Sequence, residues 1–203
     1  MNLIYPSLLN SQDIRLVVLT GQDKSCAQAL FSESHPIIKN WHDSKQYSHT
    51  VNGSDNGWYK PSKVTSPQLL QESIRLLKQY KFEIDTHNFI IETHAYEVNN
   101  LDVDSPFGLH QDDFGVISEK VVTIIWYLRK DDTINGGDLH YSYTDCSIEK
   151  TNLLNITDNM TVMFTGNLWH MPQKCSGAGA RQLVVIQFKD LARQPPQQGC
   201  VIS

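Results

Sequence analysis

The chain has 203 residues, 40% of them apolar, and a formal net charge of −5. That is enough apolar material for one sizeable core, and it argues for a single domain with elaborations rather than two. Its 17 basic residues are scattered and do not interleave with aromatics along a face, so no nucleic-acid surface is expected.

The opening "MNLIYPSLLNSQDIRLVVLTG" lacks a basic start followed by an apolar stretch of signal-peptide length, and later apolar runs are strand-sized. A soluble, non-secreted chain is expected. "IRLVVLTG" (14–21) is a short β-rich run closed by glycine. "DSKQYSHTVNGSDNGWYKPSK" (43–63) is rich in Gly, Asn and Ser and predicts a long loop, the kind of segment that often faces substrate. "SPQLLQESIRLLKQYKF" (66–82) predicts a helix, with Pro67 in the first turn and Leu69, Leu70, Ile74, Leu76 and Leu77 gathered on one side.

From Asn88 the texture changes. "NFIIETHAYEV", "KVVTIIWYLRK", "GGDLHYSY", "TVMFTG" and "RQLVVIQFKD" are short β-rich runs separated by turn residues, and no segment between them has a helical period. They predict an antiparallel sheet folded on itself, a sandwich or jelly roll. Residues 1–190 then form one domain, with 1–87 as helix-and-strand support and 88–190 as the β core. The segment "ARQPPQQG" reads as an extended linker inside a flexible tail, 191–203. Cys26, Cys146, Cys175 and Cys200 show no CxxC pair or framework spacing and are expected to be reduced thiols in a cytosol-like compartment. The sequons at Asn52, Asn155 and Asn159 then carry no meaning.

The chemistry concentrates in "FGLHQDDFG" (107–115). On a strand, residues i and i+2 share a face, so His110 and Asp112 aim an imidazole and a carboxylate at one point while Gln111 points away. A catalytic metal needs a third ligand, and "FTGNLWHMP" offers His170 at a strand end. Two histidines and one carboxylate make the facial triad of non-haem Fe(II) oxygenases, which leaves three adjacent positions open. Arg181 opens the following β run, eleven residues on, where its planar fork suits a dicarboxylate co-substrate. Singly, these residues are equally a turn histidine, a turn cap and a core residue; their order is what carries the expectation.

The same stretches resemble the 2-oxoglutarate- and Fe(II)-dependent dioxygenases, particularly their prolyl-hydroxylase-like branch. The resemblance spans about residues 90–190 and rests on "HAYEV", "LHQD", "VVTIIWYLRKDDTINGGDLHYSY" and "MTVMFTGNLWHMPQKCSGAGARQLVVIQF". Trp126-Tyr127-Leu128, Gly136-Gly137 and the His170–Arg181 spacing occupy the places that the branch's motifs hold. The resemblance implies that His110, Asp112 and His170 bind iron and that Arg181 pairs with the distal carboxylate of 2-oxoglutarate. It implies that Tyr127 donates its hydroxyl to that carboxylate and that Tyr96 lines the pocket, although the spacing from Tyr96 to His110 is longer than the family's. The implied fold is α+β, mainly β: a double-stranded β-helix (jelly roll) with N-terminal helices packed on one sheet. The implied co-substrates are 2-oxoglutarate and O2, with succinate and CO2 released as a protein or small-molecule substrate is hydroxylated.

Other residues sort less favourably. Glu92 and His94 also stand at i and i+2 and are the rival ligand pair, though core alternation accounts for them without a metal. His140 follows the glycine pair and is expected to be structural rather than pocket-lining, and Trp169 to be a packing residue. His35, His42, His49 and His87 fall in polar surroundings and are expected at the surface, and Asp113 should face away from the ligands. The last four residues, Cys200-Val201-Ile202-Ser203, fit a C-a-a-X farnesylation signal without a neighbouring polybasic run. That ending implies a prenyltransferase partner, a eukaryotic or host cytosol, and partial peripheral contact with membranes. Two alternatives stand beside the dioxygenase: a non-catalytic jelly-roll binding module, and a cupin-like metalloenzyme independent of 2-oxoglutarate.

Overall fold

The computed structural model describes residues 3–6, 14–32, 50–51, 54–55, 66–84, 86–99, 108–112, 120–144, 147–158 and 160–190. The fold is mainly β. In chain order, β1 (Leu3–Pro6) and β2 (Arg15–Thr20) precede a helix over 25–32, here α1. Two short strands, β3 (Thr50–Val51) and β4 (Ser54–Asp55), pair within the segment expected to be loop. Then come α2 (Pro67–Gln79), β5 (Phe89–Asn99), β6 (Lys120–Lys130), β7 (Ile134–Gly136) and β8 (Leu139–Ser142). A 3-10 turn at Ile148–Lys150 leads to β9 (Asn152–Leu154), β10 (Met160–Thr165), β11 (Trp169–Pro172) and β12 (Cys175–Asp190).

A large antiparallel sheet runs β1-β2-β10-β6-β12-β5, with β7 on the first residues of β12. A small sheet runs β11-β8-β9, and a bridge from His110 to His170 extends it past β11. The two cores lie on opposite faces of the large sheet. Strand alternation sends Val17, Leu19, Val122, Ile124, Trp126, Met163, Val184, Ile186 and Phe188 to one side, against Leu30 and Phe31 of α1 and Leu69, Leu76 and Leu77 of α2. The intervening residues Leu16, Val18, Ile125, Tyr127, Val162, Phe164 and Leu183 meet Leu139 and Tyr141 of the small sheet. Helices, large sheet and small sheet therefore form three layers.

α2 starts where Ser66 accepts a hydrogen bond from Leu69 N at 3.4 Å, with Pro67 just inside the first turn. It ends at Gln79 with Tyr80 as cap, and the chain turns away at Lys81, whose φ of 56° is left-handed, with Phe82 N bonded to Leu77 O and Lys81 N to Lys78 O. The guanidinium of Arg15, at the head of β2, donates to the carbonyls of Tyr80 and Lys81 at 3.2 and 2.7 Å. Lys81 thus takes the position where glycine is usual, and the Arg15 cation at the negative end of the helix caps its carbonyls and ties α2 to the sheet. Leu69, Leu76 and Leu77 are buried as the periodicity predicts, while Leu70 and Ile74 are only partly covered.

One boundary differs from expectation. β12 begins at Cys175, six residues before the run "RQLVVIQFKD", and takes in "CSGAGA". Those glycines permit close approach rather than a turn: a Cβ on Gly177 would lie 2.2 Å from Thr133 O, and one on Gly179 2.8 Å from Thr133 Oγ1. No helix among the described residues is long and apolar enough to cross a membrane.

Candidate metal centre

His110 and His170 sit on adjacent antiparallel backbones that exchange both hydrogen bonds, His110 N to His170 O at 3.0 Å and His170 N to His110 O at 2.9 Å. Directly opposed residues of such a pair project to the same face, and the imidazole centroids are 4.4 Å apart. His170 therefore lies on its own short strand, β11, in the small sheet, rather than at the end of the strand formed by "TVMFTG". The turn over 166–168 carries the chain from one sheet to the other.

Asp112 completes the group. Its Oδ1 lies 3.7 Å from His110 Nε2 and 3.6 Å from His170 Nε2. The three candidate ligand atoms all fall within 4.8 Å of one another. Both imidazoles are oriented from behind in the same way: Nδ1 faces a carbonyl two residues earlier, Gly108 O at 2.8 Å for His110 and Leu168 O at 3.0 Å for His170. A carbonyl only accepts, so each Nδ1 carries a proton and Nε2 is the ring nitrogen that faces Asp112. Burial holds His170 below the usual histidine range, against the opposing pull of Asp112. A neutral buried imidazole is the form that ligates a metal. Phe164 packs on it at 4.5 Å between centroids. Gln111 turns away, its amide donating to Asn167 O at 2.6 Å.

Thr123, absent from the residues singled out by sequence, donates its hydroxyl to Asp112 Oδ2. It lies on the inner face of β6 with Ile125 and Tyr127.

A second polar group occupies the same interior. Arg181 and Tyr127 are each 2% exposed, and the guanidinium carbon stands 5.4 Å over the phenol ring. A register shift at Gln182/Leu183 sets Arg181 opposite Lys130 and Leu183 opposite Tyr127. Burial pushes the Tyr127 hydroxyl up to about 12, with the Arg181 charge and hydrogen bond acting the other way, so the phenol stays protonated at physiological pH. Lys130 is held by Asp138 at 2.6 Å, and the same Asp138 oxygen accepts from Ile156 N at 2.9 Å.

The glycine pair makes this packing feasible. A Cβ on Gly136 would lie 1.9 Å from Lys174 O, and one on Gly137 only 2.9 Å from Cys175 Sγ and 3.0 Å from Arg181 Cδ and Nε. Both have left-handed φ, 78° and 73°. Gly137→Ala is expected to destabilise by about 1–2 kcal/mol from the backbone alone, more with the contact against Arg181, read as a lowered Tm. Gly108→Ala, with nothing within 4 Å of the added atom, should leave Tm unchanged.

The remaining expectations fall as follows. Tyr96 lies opposite Arg181 in the β5–β12 ladder, His94 opposite Leu183 and Glu92 opposite Val185. The side chains of Tyr96, His94 and Glu92 lie outside the described residues. His140 bonds Thr151 Oγ1 at 2.9 Å, on the face of β8 opposite Leu139 and Tyr141, so it does not line the interior. Trp169 is half-buried and His87 exposed. Cys26 and Cys175 are free thiols, and burial raises the pKa of both. His35, His42, His49, Asp113, Cys146 and Cys200 lie outside the described residues.

The chain is similar in fold to several solved structures. A prolyl-4-hydroxylase from Pseudomonas putida is 15% identical with a TM-score of 0.54, over 86% of this chain and 92% of that one. IDO from Bacillus thuringiensis is 15% identical with a TM-score of 0.53, over 86% and 89%. A prolyl hydroxylase from Trichoplax adhaerens, in complex with a hypoxia inducible factor oxygen degradation domain peptide fragment, is 14% identical with a TM-score of 0.52, over 86% and 83%. No protein-family model matches the sequence, and no curated protein does. At such identities the likeness speaks for the fold alone.

Proposed function

We propose that this chain is an Fe(II)- and 2-oxoglutarate-dependent dioxygenase that hydroxylates a protein or small-molecule substrate. The observation that carries the reading is the convergence of His110 Nε2, Asp112 Oδ1 and His170 Nε2. Strand order supports it: four neighbouring strands of the large sheet, β10-β6-β12-β5, and the order His110 segment, β11, β8, β9 in the small one are what a double-stranded β-helix would require.

The donor set suits iron. Two imidazoles and one carboxylate are the ligands of the non-haem facial triad. Iron with O2 and 2-oxoglutarate would supply the oxidising power, releasing succinate and CO2. The chain's own part is to bind, orient and exclude water. Nδ1 contacts to Gly108 and Leu168 keep both Nε2 atoms aimed inward. Arg181 would pair with the distal carboxylate of 2-oxoglutarate and Tyr127 would donate its hydroxyl to it, both in an interior closed to bulk water. Tyr96, opposite Arg181 in the ladder, is proposed to line the same pocket.

Anaerobic addition of Fe(II) and then 2-oxoglutarate should give a weak visible metal-to-ligand charge-transfer band. A binding module would take up neither, and a metalloenzyme independent of the keto acid would bind iron without the band. Either result would displace the dioxygenase reading. Farnesylation of Cys200 is a separate proposal, resting on the terminal C-a-a-X pattern. In a eukaryotic cell the full chain should partition partly to membranes, and Cys200→Ser should be cytosolic, because one chain is a marginal anchor. A farnesyltransferase inhibitor that left the distribution unchanged would remove this proposal and leave the oxygenase standing.

A further inference from the structure

We infer that Thr123 sets how Asp112 presents its carboxylate: the threonine hydroxyl holds Oδ2 and leaves Oδ1 as the single oxygen facing the two histidines. The inference rests on the metal centre proposed above and goes beyond its ligands. Thr123 is 2% exposed on the inner face of β6, in a row where Ile125 and Tyr127 pack against the small sheet. A hydroxyl buried there needs a partner, and Asp112 Oδ2 accepts its hydrogen bond. The other carboxylate oxygen stands almost equidistant from the two imidazoles, 3.7 Å from His110 Nε2 and 3.6 Å from His170 Nε2. The backbone fixes the donor's place as firmly as its chemistry does. Thr123 is paired with Phe164 on one side and Gln187 on the other, in the interior of the large sheet.

The consequence concerns coordination number. A carboxylate that ligates through both oxygens takes two positions; one held at Oδ2 takes a single position. Only the second case leaves three positions open with two histidines, enough for a chelating keto acid and O2 together. Thr123 is therefore a positioning residue, acting through Asp112.

The test uses Co(II) as probe, titrated anaerobically into the full chain and followed by visible absorption. Thr123→Val keeps the shape and removes the hydroxyl, Thr123→Ala removes it without adding bulk, and Thr123→Ser restores it. Loss of such an outer hydrogen bond typically weakens metal binding about 10- to 100-fold. That loss is expected in the valine and alanine variants, together with an altered Co(II) spectrum, while the serine variant, which keeps the hydroxyl, should bind Co(II) close to the parent. Should the valine variant fail to fold, the alanine variant carries the comparison, with thermal melting of the metal-free proteins run alongside. Unchanged affinity and spectrum in the hydroxyl-free variants would overturn the inference and leave the metal centre intact, as would a serine variant as weak as alanine. A parent chain that takes up no Co(II) would overturn the metal centre and this inference together.

Discussion

Asp112→Ala is expected to abolish Fe(II)-dependent succinate formation while leaving the fold largely intact. Asp112 brings the only carboxylate of the three converging residues, and without it two neutral imidazoles would have to hold a divalent cation with no compensating charge. The structural cost is smaller and has two opposed parts. Removing the carboxylate leaves the buried Thr123 hydroxyl without its acceptor, about 1–3 kcal/mol. It also removes the cost of burying a polar carboxyl group inside the fold. His170→Ala should be as inactive and less stable, because it removes a buried ring packed on Phe164. His110→Ala should be equally inactive at lower structural cost, since the His110 side chain is 34% exposed. Succinate release and circular dichroism of the same preparations separate these effects. Full turnover by Asp112→Ala, with no added carboxylate, would end the facial-triad reading.

How much of this could be seen in the sequence depends on how local each signal is. "KVVTIIWYLRK" coincides end to end with β6, because a run buried on both faces and bracketed by lysines has a sharp apolar edge. "CSGAGA" gave no such signal, since glycines that allow close approach to Thr133 read the same as glycines that allow a turn. The three-residue strands β7 and β9 are too short for any period to register, and Leu153 in β9 is exposed. The proximity of His110, Asp112 and His170 was legible because two local patterns, a same-face HxD and a histidine after a strand, had one sensible way to meet. Thr123 was not, because threonine inside a β-branched run is an ordinary strand residue. Only tertiary placement turns its hydroxyl towards Asp112. Gly137 falls between: the pair was visible, but not that its missing Cβ makes room for the Arg181 side chain.

Arg181→Ala is expected to raise the 2-oxoglutarate requirement on the order of 30-fold or more, with the iron requirement little changed. A bidentate, charge-assisted pair in a desolvated pocket is worth about 2–5 kcal/mol on truncation, and Arg181 is 2% exposed beside an equally buried Tyr127. The guanidinium also packs over the Tyr127 ring and against the cleft left by Gly137, so alanine removes packing along with charge. Arg181→Met separates the two, because it fills much of the same volume without a charge. It should lose the co-substrate nearly as far as alanine but melt closer to the parent. Arg181→Lys should rescue in part, keeping the charge without the fork. Tyr127→Phe should be milder than alanine at 181: the phenol, protonated with its pKa pushed up to about 12, offers one hydrogen bond to a carboxylate. Such a bond is worth about 1.5–3 kcal/mol. The measurement is the apparent KM for 2-oxoglutarate and for Fe(II), each varied with the other saturating. A 2-oxoglutarate KM that stayed at the parent value in both Arg181→Ala and Arg181→Met would move the carboxylate anchor away from β12, since no other interior cation could then be credited to that strand.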